Sequence, residues 1–272
     1  MSWSPYELPF QRDKFVQVTR TMYENYAGEQ DTEFGDDVLE SPLTWLDSDI
    51  SDLVAETYST LPEWSLDAVL PGETGFIAFE KSPAIFDVTV PEMSRTVRMS
   101  CDGFWWTMAG NEVSVMLITR NQVATAFAPG LPFTLISAFS SSRGNPEYGG
   151  GIKIDEEQAK SLVGATWLLM SQPRVVEESD PVVVKRKPRT DRLVSAPIVS
   201  VSTRRLTARY RPASTPTGRK AQKRWWVRGH WRQQAWGKNR ELRKPVFIAP
   251  HTAGNEDAPV ESRPQVQVWR KK

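Results

Sequence analysis

Charge is segregated along this chain, and the segregation restricts its architecture more than any motif does. Of its 34 Lys/Arg and 33 Asp/Glu, residues 181–272 hold 23 and 5, a net of +18; residues 1–180 hold the other 11 and 28, a net of −17. A chain divided in this way carries a polyanion-binding part, or folds one half against the other. The division predicts an acidic domain over 1–180, a basic linker over 181–195 and a basic module over 196–272, with an internal linker-like segment at 209–222.

A hydrophobic content of 39% over 272 residues permits a sizeable core. The apolar run Ala165–Met170 is far shorter than the roughly 20 residues that cross a bilayer, so no membrane partner is expected. The start MSWSPYELPF lacks a basic opening and a continuous apolar run, which points to a cytoplasmic chain. Cys101 is the only cysteine, so an internal disulfide and a cysteine-based zinc site are both excluded. It reads as a small buried residue in a strand.

Hydrophobic period divides the acidic part further. Residues 12–26 place Phe15, Val16, Val18, Met22, Tyr23 and Tyr26 at helical spacing, and Ile50, Leu53, Val54, Thr57 and Tyr58 repeat the pattern behind an Asp/Ser start. Asp31 to Asp37, acidic and Gly-punctuated, reads as a loop. From residue 74 the pattern changes to short β-branched and aromatic runs: 75–79, 85–90, 95–108 and 112–119, with a further candidate at 131–136. They predict an antiparallel sheet or meander. Residues 140–151 have a flexible loop's composition, and 154–171 predict a helix with Ala159, Leu162, Val163, Thr166, Trp167 and Met170 on its apolar face. The fold class is therefore α+β: a mixed helix and antiparallel-sheet domain, then a small antiparallel β-rich basic module.

Before that module Gln172-Pro173 stops the helix, and the basic run 185–190 reads as a solvated linker. Strands are predicted over Ala196–Arg205, Arg224–Gln234, Pro245–His251 and Gln265–Trp269. Alternation along 224–234 puts Arg224, Trp226, Arg228, His230, Arg232 and Gln234 on one face and Trp225, Val227, Gly229, Trp231 and Gln233 on the other. The second set reads as a core face, with Trp225 and Trp231 supplying its area. The first set alternates arginine forks, which suit phosphate oxygens, with an indole and an imidazole able to meet an unpaired base. The following AWGKNRELRK predicts a hairpin loop that projects Lys238, Arg240, Arg243 and Lys244.

His230 and His251 are the only histidines. Strands paired in a hairpin would set them side by side, and two imidazoles beside Arg228 and Arg232 would suit metal-independent cleavage of RNA. As structural residues, His230 would hydrogen-bond within a network and His251 would cap a strand end. Only Glu256 and Asp257 lie near them in sequence, too sparse a set for a metal site, and no cofactor is implied. Phosphate-cradling glycine loops, nucleophile elbows and dinucleotide fingerprints are absent. The pairs Asp36-Asp37 and Glu156-Glu157 are explained by solvation and by the helix dipole.

Val227–Gln233, the basic loop after it and Pro245–His251 resemble the C-terminal blocks of a group of uncharacterised proteins from actinobacteria and their phages. The likeness extends to Thr166–Pro173 and to Leu61-Pro62-Glu63-Trp64 with Gly75-Phe76-Ile77, so it touches both halves. Such proteins often continue after the second block with a basic residue and Gly-Pro, where this chain has Thr252-Ala253-Gly254-Asn255. The resemblance implies an architecture and a source, with no activity attached.

Three functional expectations follow. The first is an interaction protein whose basic module binds RNA or single strands, with the acidic half binding a protein partner or regulating the module. A second is a toxin-like ribonuclease acting through His230 and His251. In the third the acidic half simply covers the basic one, held by ion pairs that high salt would break.

Overall fold

The computed structural model of the chain describes residues 3–27, 33–65, 69–90, 95–110, 112–120, 131–140, 154–185, 198–207 and 224–254. Its first helices are α1 (Leu8–Ala27) and α2 (Glu33–Glu40), followed by β1 (Leu43–Leu46), α3 (Ser48–Thr57), β2 (Thr74–Phe79), β3 (Ala84–Val90) and β4 (Arg95–Cys101). Then come β5 (Gly103–Ala109), β6 (Glu112–Thr119), β7 (Thr134–Ser140), helix α4 (Glu156–Met170), β8 (Val176–Lys185) and β9 (Ile198–Leu206). The last four strands are β10 (Arg224–Val227), β11 (His230–Trp236), β12 (Leu242–Ile248) and β13 (His251–Gly254). The class is α+β, built on a mixed seven-stranded sheet of order β7-β6-β5-β2-β1-β9-β8. Only β1 runs parallel to its neighbours, β2 and β9.

Both faces of this sheet are covered, which the side chains of β2 make plain. Phe76 and Ala78 enter a core with Leu8, Phe15 and Val16 of α1, while Ile77 and Phe79 enter a larger one with α3 and α4. Trp105 and Trp106 of β5 divide in the same way, and each indole N–H finds a partner: Ser41 Oγ at 2.8 Å and the Gly72 carbonyl at 3.0 Å. Aspartates start both inner helices. Asp47 caps α3 through the Ile50 N–H and Asp155 caps α4 through the Gln158 N–H, each satisfying a donor that the helix itself leaves open.

Several sequence expectations are corrected. Asp36 and Asp37 belong to α2, which is held to α1 by Val38 in the core and by Arg20 Nη2 to Asp36 Oδ1 at 2.6 Å. Strand β1 has no counterpart in the sequence reading: four residues flanked by strands on both sides, with Leu43, Trp45 and Leu46 buried and Thr44 half-buried, show no alternation. The run 95–108 breaks at Asp102, whose buried carboxylate accepts from Ser82 Oγ, from Ser100 Oγ at 3.0 Å and from the backbone N–H and Nη2 of Arg120 at 2.6 and 2.9 Å. In place of one meander, β3 and β4 form a separate two-stranded ribbon on the larger core.

Strand β8 runs through the expected boundary at 180/181. The strand expected over Ala196–Arg205 forms as β9, but it completes the large sheet between β1 and β8. Val201 lies in the α1-side core, and Arg204 and Arg205 bond Glu178 and Glu177 of β8 at 3.0 and 2.8 Å. The loop read over 140–151, apart from Ser140, lies outside the described residues. So do the basic run beyond Lys185, the segment 209–222 and the strand expected at 265–269.

Candidate nucleic-acid interface

The described C-terminal part is one long antiparallel hairpin. Arg224 pairs with Gly254, Val227 with His251, His230 with Ile248 and Trp236 with Leu242, so a single register runs from end to end. It is interrupted at Arg228-Gly229, opposite Ala249-Pro250, and the expected strand 224–234 is thereby split into β10 and β11. Pro250 has no N–H to give the ladder. Nearby, Gly229 is required by close packing: a Cβ there would lie 2.6 Å from Phe247 Cζ and 2.9 Å from the Pro250 ring.

One face of the hairpin docks on the body. Phe247, 2% exposed, joins the larger core and meets Trp231 edge to face at 5.3 Å. The Trp231 indole donates to the Thr57 carbonyl at 3.0 Å, Gln233 Nε2 to the Glu63 carbonyl at 2.8 Å, and the Phe247 N–H to Gln172 Oε1 at 3.1 Å. These contacts are apolar or neutral. Trp231 thus takes the core role read for it, but Trp225, at the other end of the hairpin from its turn, is 46% exposed. That part of the core-face expectation is corrected.

The opposite face is open. Arg228, His230, Arg232 and Gln234 are all exposed, and Arg232 Nη2 reaches Gln234 Oε1 at 3.3 Å. Arg224 is half-buried and donates to Thr252 Oγ1 at 2.7 Å, while Trp226 stands opposite Thr252 in β10. Lys238, Arg240 and Arg243 are exposed and Lys244 half-buried. Among the described residues, none of His230, Arg232, Lys238, Arg240, Arg243 and Lys244 enters an ion pair. Lys244, opposite Gln234, shares the open face; Arg243, opposite Ala235, takes the other.

Each histidine bonds a carbonyl two residues before it: His230 Nδ1 to Arg228 at 3.1 Å and His251 Nδ1 to Ala249 at 3.0 Å. A carbonyl only accepts, so Nδ1 carries the proton in both and Nε2 is left as the acceptor. The shared register sets them apart, however. His230 falls with Ile248 on the open face, and His251 falls with Val227 on the docked face, where it is half-buried. The sequence reading set these two imidazoles side by side; the alternation that places one outward places the other inward.

Sequence reasoning missed Trp236 and Leu242, the last pair before the turn, which are 41% and 51% exposed. Their signal was present in the same alternation that put Gln234 on the open face. Among the described residues no three His, Cys, Asp or Glu gather as a metal-binding set, and no helix is long and apolar enough to cross a membrane. No family model matches the chain, and no curated protein matches it.

Proposed function

We propose that this chain is a nucleic-acid-binding interaction protein, and that the open face of the 224–254 hairpin engages RNA or single-stranded DNA. One observation carries the reading: the face bearing Arg228, His230 and Arg232 is exposed, because the other face is anchored through Trp231 and Phe247. Arginine forks on a strand meet phosphate oxygens bidentately, and the imidazole between them adds a planar surface. The acidic body holds the hairpin in place and is the candidate surface for a protein partner. Cytoplasmic residence belongs to the same proposal. So does kinship with the actinobacterial and phage group, supported by the meeting of four of its blocks at the docking junction, through Glu63, Gln172, Trp231 and Phe247.

The test is a salt titration of the full chain with a labelled 20-nucleotide RNA, followed by fluorescence anisotropy. Affinity should fall log-linearly with salt, and replacing Arg228 and Arg232 together by Ala should reduce the slope by about 1.4, or roughly 0.7 for each phosphate no longer neutralised. Salt-insensitive binding, or none, would overturn the reading.

A further inference from the structure

The open face does not end at Gln234. It continues to Trp236, which pairs with Leu242 and closes the hairpin. Docking stops short of this point, at Gln233, so a tryptophan and a leucine are presented to water side by side on a polar, cationic element. The turn beyond them is held tight. Gly237 takes φ 77°, a Cβ there would stand 2.9 Å from Leu242 Cδ1, and the Arg240 N–H bonds the Gly237 carbonyl at 3.2 Å. Asn239 and Arg240 both have positive φ, 58° and 59°, in a region where arginine is uncommon. Such a turn keeps Lys238 and Arg240 at the tip, with Lys244 one pair back on the face that carries Trp236.

We propose that Trp236, backed by Leu242, is a stacking wedge for an unpaired base, with Lys238, Arg240 and Lys244 holding the phosphates on either side. The proposal rests on the nucleic-acid reading above and narrows it to strands with unpaired bases. An indole face accepts any base, and flanking cations track the backbone. Continuity selects this occupant. From Trp236 back through Gln234, Arg232 and His230 to Arg228 this side of the open face is a polar, cationic line about 27 Å long, at about 3.4 Å per residue, flanked on the β12 side by Lys244, Val246 and Ile248. That shape fits a linear polyanion, whereas a lipid surface rewards a broad apolar face.

The experiment compares the full parent chain with Trp236→Ala and Trp236→Phe on three labelled probes: 12-nucleotide oligo(U), oligo(dT) of the same length, and a blunt 12-base-pair duplex. Trp236→Ala should weaken binding to both single strands by about 5- to 100-fold, Trp236→Phe should retain most of the affinity, and duplex binding and salt slope should stay as in the parent. Because Trp236 is half-exposed, folding of both variants can be verified by circular dichroism. Equal losses on duplex and single strands, or no loss, overturn the wedge and leave the nucleic-acid reading standing. Absence of binding by the parent overturns both. Binding of the parent to phosphatidylglycerol vesicles that Trp236→Ala abolishes, with oligonucleotide binding intact, assigns the tip to membranes and also overturns the wedge.

Discussion

The thiol of Cys101 ends β4 at 1% exposure, donates to the Gly103 carbonyl at 3.3 Å, and is pushed by burial from its ordinary 9.0 up to about 12. The fold therefore holds the proton more tightly than the unfolded chain does. Its contribution to stability is complete below about pH 9 and is lost as pH rises towards 12. In urea titrations at pH 8 and pH 10.5, the parent should lose more stability between the two conditions than Cys101→Ala, which has no thiol to ionise. Equal losses would show that the thiol titrates freely. Reading Cys101 as a buried strand residue needed only its neighbours; the size of the effect needed the complete burial that the larger core gives it. Trp225 teaches the reverse. The alternation that sends Trp231 inward also sends Trp225 to the docked side, yet its indole stays largely in solvent there.

Among the elements, the hairpin shows how little of its attachment is electrostatic. Its described bonds to the body run through an indole, an amide side chain and a backbone N–H, around Phe247 in the core. Docking should survive about 1 M NaCl, where surface ion pairs are screened beyond about 3 Å, so near-ultraviolet circular dichroism should be unchanged. This separates the hairpin from an element held by ion pairs; among the described residues it is β9, through Arg204 and Arg205 on Glu178 and Glu177, that joins the oppositely charged parts. Phe247→Ala should cost about 3–5 kcal/mol in urea unfolding, as truncation of a buried aromatic leaves a cavity. A cost under about 1 kcal/mol would show that the hairpin rests on the body without being part of its core. The hairpin itself was legible from alternation and from Gly237 and Asn239 in the turn. Its partners were not, because Thr57, Glu63 and Gln172 contribute through atoms whose position depends on α3, the segment after it and the end of α4.

For the whole molecule, charge and topology divide the chain at different places. By charge, β9 belongs to the basic half; by pairing, it lies between β1 and β8 and buries Val201 among residues of α1 and β2. A chain ending at Lys185 would leave one edge of β1 open and β8 without its partner, an arrangement that costs ladder bonds and exposes core. Such a chain should lose cooperative urea unfolding, whereas one ending at Thr207 should keep it. A cooperative transition in the shorter chain would make β9 an accessory strand.

Local chemistry determined the helices 8–27, 48–57 and 156–170, most of the strands between 74 and 140, and the basic hairpin with its turn, because period, caps and turn residues act over a few positions. The tertiary structure alone decided that β1 exists, that β9 returns to the acidic half, and that His230 and His251 face apart. The first two depend on the pairing of β1 with β9 across more than a hundred residues, which leaves no period in the sequence of either partner; the third depends on the register of the hairpin, which only the pairing of Trp236 with Leu242 fixes.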